Sequence, residues 1–142
     1  MTQVFKYKKH HPDARIDMPA KEGDAGYDVY SVEEVTIFRD GTKEVDVGLS
    51  FEPPKGYYFS IATRSKHGIA NNLQVHPGTI DNGYRGVLKV KLYNHGKMNY
   101  TVVKGEKVAQ LILKKLEVFP LSEVKTLSKS QRGTKGFGST DK

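Results

Sequence analysis

Apolar and polar residues alternate along much of this chain. Val45, Val47, Leu49 and Phe51 alternate with Glu44, Asp46, Gly48 and Ser50, and Leu88, Val90 and Leu92 alternate with Lys89, Lys91 and Tyr93. Phe59 and Ile61 follow the same rule between Tyr58, Ser60 and Ala62. Successive strand side chains point to opposite faces, so each run predicts a strand with one buried and one wet face. Residues 108–118 are apolar and β-branched enough for a longer strand, with Lys114 and Lys115 marking an exposed bend. Turn signals fall between the runs at Arg39-Asp40-Gly41, Pro53-Pro54-Lys55-Gly56, Asn94-His95-Gly96-Lys97 and Lys104-Gly105-Glu106. Strands this closely punctuated suit an antiparallel sandwich or barrel. No stretch predicts a long helix, and no internal repeat is present.

Composition narrows the class. A chain of 142 residues, 37% hydrophobic and 27% charged, suits a single globular domain spanning 1–142. No apolar run approaches the roughly 20 residues of a membrane-spanning helix. The N-terminal stretch MTQVFKYKKHHPD holds no apolar segment of signal-peptide length. With no cysteine there is no disulfide framework, thiolate zinc site or Cys nucleophile. The expected location is the cytoplasm, or the nucleus of a host that has one. The net charge of +7 favours an anionic partner, either nucleic acid or a nucleoside triphosphate. The lysines are scattered, however, and by themselves describe a solvated surface.

Five segments carry candidate chemistry. Ala25-Gly26-Tyr27-Asp28-Val29-Tyr30-Ser31 places a carboxylate inside a strand-like run, where an Asp at an edge-strand turn is the plain explanation. Thr63-Arg64-Ser65-Lys66-His67-Gly68 follows a strand and offers a guanidinium, a hydroxyl and backbone donors suited to an anion. In Pro77-Gly78-Thr79-Ile80-Asp81-Asn82-Gly83-Tyr84-Arg85-Gly86, Asn82-Gly83 predicts a two-residue hairpin between flanking strands. In Lys104–Ile112, Gln110 is a polar residue on an apolar strand and needs partners, from the backbone or from a ligand. The last segment, 130–140, has one apolar residue among small and basic ones. It reads either as a frayed tail or as a flap that orders over a phosphate-bearing ligand. No Walker P-loop is present, and His10, His11, His67, His76 and His95 lack metal-ligand spacing. Ser65 and His67 are too close in sequence to read as a nucleophile and its base.

Taken in order, AGYDVYS, TRSKHGIA, GTIDNGYRG, KGEKVAQLI and RGTKGFGST resemble the motifs of the homotrimeric dUTPase family, over about residues 14–140. Ser65 and Asp81 also stand at that family's spacing. The resemblance implies an all-β, jelly-roll-like β-barrel subunit with a flexible C-terminal arm, about 128–142. It implies a homotrimer whose active sites draw on all three chains, the arm reaching over a neighbour's site. The implied reaction is Mg2+-assisted hydrolysis of dUTP to dUMP and pyrophosphate, which lowers dUTP and supplies dUMP for thymidylate synthesis.

The resemblance also implies residue roles. Asp81 would be the general base for the attacking water. Gly78, Thr79, Ile80 and the backbone at Lys89 would read uracil, and Tyr84 would lie against deoxyribose and leave no room for a 2′-hydroxyl. Arg64, Ser65, the Lys66 amide and Gln110 would hold phosphates. Arg132 would clamp the γ-phosphate, Phe137 would stack on uracil, and Gly138 and Ser139 would close over the phosphate chain. Mg2+ would be chelated mainly by the substrate, with Asp28 reaching it through water. Departures from the family pattern are Thr63 for Pro, Lys66 for Gly, Pro77 before the third motif's glycine, and Gly83 for Asp. At Lys66 the backbone must suit a residue with a Cβ.

Two other functions compete. A dCTP deaminase resembles this fold but uses a Glu where this chain has Lys91, which cannot act as a carboxylate acid/base. A regulatory module binding nucleic acid or protein would use the basic surface. The sequence lacks the aromatic-interleaved basic patch of single-strand binders, so nucleic-acid binding is not expected.

Overall fold

The computed structural model describes residues 3–139 and is almost entirely β. The largest sheet has five antiparallel strands. These are β2 (Ile16–Asp17), β3 (Gly26–Tyr30), β12 (Lys107–Lys115), β7 (Tyr57–Ala62) and β9 (Gly78–Ile80), in that spatial order. A second sheet sets β10 (Lys89–Asn94) between β5 (Thr42–Asp46) and β8 (Leu73–Val75). Two further pairs are β1 (Lys6–Lys9) with β6 (Leu49–Glu52), and β4 (Val35–Ile37) with β11 (Tyr100–Val102). This is the expected all-β, jelly-roll-like arrangement. Among the described residues, the sheets remain open at their edges and do not join into a closed ring. None of the helices described is long and apolar enough to cross a membrane.

The alternation finds its core. Val45, Val47, Leu49, Phe51, Phe59, Leu88, Val90 and Leu92 are all buried in one hydrophobic cluster. The run from Val45 to Phe51 is nevertheless two strands rather than one. Gly48 adopts a left-handed φ of +64°, so β5 pairs with β10 while β6 pairs with β1. The buried face continues through the bend even though the hydrogen-bonding partner changes.

Two other expectations are corrected. Asn82-Gly83 does not close a hairpin, because β9 pairs with β7 and β10 pairs with β5 and β8. The chain there crosses from one sheet to another. Gly83 has no left-handed backbone, whereas the hairpin turn favoured by Asn-Gly needs φ above zero at both positions. The long strand predicted over 108–118 ends at Lys115, and the chain from Leu116 onward carries no strand among the described residues.

Candidate active site

The register of the large sheet brings three of the motifs together. Asp28 on β3 lies opposite Gln110 on β12, and Gln110 lies opposite Ala62 at the end of β7. One row across the sheet therefore joins the first and fourth motifs to the residue that leads into the second. Beyond Ala62 the chain leaves the sheet through Thr63, Arg64 and Ser65 and enters a short helical turn, Lys66–Ala70.

These residues surround an open cavity of about 340 Å3 lined by Gly26, Asp28, Arg64, Ser65, Lys66, Lys107 and Gln110, together with Ala20, Asp24 and Ala25. Arg64 Nε donates to Asp28 Oδ1 at 2.9 Å, and Lys107 Nζ lies 3.5 Å from Asp28 Oδ2. The Arg64 and Asp28 side chains are only about a quarter exposed, at 25% and 22%. Gln110 Nε2 donates to the Thr63 carbonyl at 3.1 Å. Its carboxamide lies so close to Gly26 that a Cβ there would sit 2.0 Å from Gln110 Oε1. Gln110 thus satisfies a backbone group, the first of the alternatives raised by its sequence position, and its side chain also lines the cavity.

The departures at Thr63 and Lys66 fit this geometry. Thr63 Oγ1 accepts the Val75 N–H at 3.0 Å, a bond proline could not make. Lys66 has no left-handed backbone. Among the described residues, Asp40, Asn72 and Phe137 are the non-glycine ones with positive φ, so the Cβ of Lys66 brings no strain. Lys66 and Lys107 add two ammonium groups to the Arg64 guanidinium around the cavity. Lys107 falls within the fourth motif, but the sequence assigns it no role. Its placement beside Asp28 depends on strand register, which the sequence does not display.

The third motif makes a separate site. Thr79 and Asp81 line an open cavity of about 390 Å3 with Tyr58, Lys115, Leu116 and Glu117. Asp81 follows the edge strand β9, where Ile80 pairs with Phe59. The Asn82 carboxamide donates to the carbonyls of Tyr57 at 2.7 Å and Pro54 at 3.0 Å, tying this loop to the turn before β7. Tyr84 is half exposed, and its ring lies over Gly86, where a Cβ would meet the phenol oxygen at 2.1 Å. Gly83 faces open space.

The chain does not bring Asp81 and Tyr84 to Arg64, Ser65, Lys66 and Gln110. Asp81 falls at the level of Tyr58 on β7, whereas Arg64 lies beyond the strand's other end at Ala62, so four strand steps, about 13 Å at roughly 3.3 Å per residue, separate the two levels. The two cavities share no lining residue. Lys89 is exposed at the start of β10, opposite Asp46. Arg132 donates to the Lys135 carbonyl at 2.7 Å, and Ser139 N–H donates to Gly136. Phe137 is fully exposed. Arg132, Phe137, Gly138 and Ser139 line neither cavity, and Thr140 lies outside the described residues.

Comparison with known proteins gives a consistent answer. The dUTPase family profile matches residues 13–141. A deoxyuridine 5′-triphosphate nucleotidohydrolase of Clostridioides difficile is 45% identical over 138 residues, covering 96% of both chains. Among solved structures, a variant dUTPase of Staphylococcus bacteriophage 80alpha with bound dUpNHpp superposes at a TM-score of 0.90 and 27% identity, covering 98% of this chain and 99% of that one. A variant dUTPase of phage phi11 of S. aureus, 21% identical at a TM-score of 0.82 and covering 89% of this chain and 99% of its own, is described with a structural Mg(II) ion.

Proposed function

This chain belongs to the dUTPase family, and from that premise we propose that it hydrolyses dUTP to dUMP and pyrophosphate with Asp81 as general base. The reaction lowers dUTP and supplies dUMP for thymidylate synthesis. The observation that carries the reading is the cationic cradle at the end of β7, where Arg64, Lys66 and Lys107 face one cavity with Ser65 and Gln110. Charge-assisted hydrogen bonds from such donors are stronger and shorter than neutral ones, and they suit phosphate oxygens.

The remaining residues take the steps that the family resemblance assigns them. The Asp81 carboxylate orients a water and accepts its proton as the water oxygen bonds to the α-phosphorus and the bond to pyrophosphate breaks. β9 is an edge strand, so Gly78, Thr79 and Ile80 have backbone groups on the side away from β7 free to read uracil, a task shared with the Lys89 backbone. The Tyr84 ring offers its face to deoxyribose and excludes a 2′-hydroxyl. Arg132 clamps the γ-phosphate, Phe137 stacks on uracil, and Gly138 and Ser139 close the site.

Mg2+ fits this donor set as an ion brought in by the substrate. No cluster of metal-ligating side chains occurs among the described residues, and both Asp28 oxygens already face cations. A small hard ion that keeps its waters suits such a place, with Asp28 reaching it through water. When bound, the ion neutralises phosphate charge and holds the triphosphate in one conformation.

The separation of Asp81 from the cradle supports a homotrimer with shared sites. A second feature agrees with it. Val118, Phe119, Leu121 and Leu127 are exposed along the strand-free arm, and an apolar groove of about 420 Å3 lined by Val4, Phe5, Ile16, Met18, Tyr27 and Phe51 lies open on the same chain. Assembly would cover both apolar surfaces. The cytoplasm, or the nucleus of a host that has one, is the compartment that fits a free-nucleotide substrate.

The test is pyrophosphate release from dUTP with Mg2+, beside dCTP and UTP. The native protein is expected to cleave dUTP selectively, and Asp81→Asn to lower kcat by about 10²–10⁴-fold with the fold intact. Undiminished turnover in Asp81→Asn would remove the carboxylate from the mechanism.

A further inference from the structure

The helical turn Lys66–Ala70 inverts the usual order of burial. Ile69 is 84% exposed, whereas His67 is 3% exposed and is the residue this turn buries. An imidazole placed inside while its apolar neighbour faces water must be held by specific partners. His67 Nε2 lies 2.8 Å from Glu106 Oε2, and the Tyr100 hydroxyl donates to the same oxygen at 2.8 Å. The His67 and Tyr100 rings meet edge to face, 5.9 Å apart at 79°. Nδ1 is buried without a hydrogen-bond partner, so Glu106 is the ring's one polar anchor among the described residues. With Nε2 donating, the neutral ring leaves only a lone pair unmatched at Nδ1.

We propose that His67 is a positioning residue for dUTP hydrolysis, clamping the loop of Arg64, Ser65 and Lys66 to the turn that leads into Lys107 and Gln110. The inference rests on the phosphate-binding reading of that cradle. Sheet register fixes Gln110 against Ala62, but the chain leaves the sheet there and register no longer governs the residues beyond it. Thr63 is tied through Val75 and Gln110, and Arg64 through Asp28. Ser65 and Lys66 lie in solvent, and the next anchor along the chain is His67. That anchor has little slack at either end. The Gly68 N–H donates to the Arg64 carbonyl at 3.0 Å, closing the turn around Ser65 and Lys66. Glu106 is held by its own backbone, its carbonyl accepting from Ser31 at 2.9 Å and its N–H donating to Val103 at 3.1 Å. The clamp therefore transmits the position of the β11–β12 turn to the phosphate-binding amides without touching substrate.

The variants His67→Gln and His67→Asn separate positioning from mere burial. Glutamine carries an N–H donor about as far as Nε2, and asparagine reaches only to the level of Nδ1. In steady-state assays with dUTP and Mg2+, His67→Asn is expected to raise KM by about tenfold while kcat stays within about twofold, and His67→Gln to restore most of the native KM. Equal KM values for the two variants, or a loss confined to kcat, overturn the proposal. Glu106→Gln weakens the clamp from its other end while keeping side-chain shape. A KM-selective rise is expected there as well, and an unchanged KM overturns the proposal even if His67→Asn does not fold. Inactivity of the native protein toward dUTP is a different result, and it would remove the proposed function itself.

Discussion

Tyr30, which is buried, and Tyr100, which is partly so, each donate a hydroxyl hydrogen bond to a carboxylate. Tyr30 donates to Asp17, which also receives both arms of the Arg15 guanidinium at 2.9 Å, and that guanidinium lies 4.5 Å over the Tyr30 ring. Burial, and then the hydrogen bond to Asp17, push the Tyr30 hydroxyl up to about 12 from an ordinary value near 10. Burial and Glu106 do the same to Tyr100, also to about 12. A raised folded pKa means that the unfolded chain loses these protons first. Their contribution to stability is therefore complete below pH 10 and is lost as pH rises toward about 12. The melting temperature should fall more steeply across that window in the native protein than in the Tyr30→Phe/Tyr100→Phe double variant, and coincident slopes would contradict the assignment. Asp17 has the opposite sign. The hydrogen bond from Tyr30, and then that from Arg15, lower its pKa, so its contribution holds above its ordinary 3.8 and disappears in stronger acid. None of this was legible in the sequence. Tyr30 reads there as a strand residue, and only the pairing of β2 with β3 carries it to Asp17.

At the scale of elements, what is local in sequence was readable and what depends on a partner was not. The period of two identified the buried faces of β5, β6, β7 and β10 because it reports on each strand alone. It was silent on the change of sheet at Gly48, where alternation continues through a left-handed residue. A Cβ at Gly48 would lie 2.9 Å from His11 Cβ, 3.2 Å from Ala14 Cβ and 3.3 Å from Val32 Cγ1, in addition to the strained φ. Gly48→Ala should therefore cost about 1–3 kcal/mol, read as a lower denaturant midpoint at unchanged slope. A midpoint equal to the native one would show that the bend tolerates a side chain. Asn82-Gly83 failed in the other direction. Its hairpin preference is real, but the Asn82 carboxamide serves the carbonyls of the turn before β7, and the strands on either side belong to different sheets.

For the molecule as a whole, motif order singled out a set of residues by resemblance, and the register of the large sheet shows which of them lie together. Asp28, Arg64 and Gln110 converge because β12 stands between β3 and β7. Asp81 was recognisable beside them in sequence, yet it is carried along β9 to the opposite end of β7 from Arg64. Motif order cannot convey that separation, because it records succession along the chain and not position in the sheet. If the base and the cradle come from different copies, a defect in each can be complemented by the other. Asp81→Asn and Arg64→Ala should each be nearly inactive alone. After the two are unfolded and refolded together, random assembly leaves about a quarter of sites with an intact Asp81 from one chain and an intact Arg64 from its neighbour. Turnover should then return to about a quarter of the native value per site, with light scattering reporting the mass of a trimer. A mixture as inactive as its components would mean that each chain completes its own site by a rearrangement bringing Asp81 to the cradle. The β7–β9 pairing would have to break for that to happen, since it is this pairing that holds the two apart.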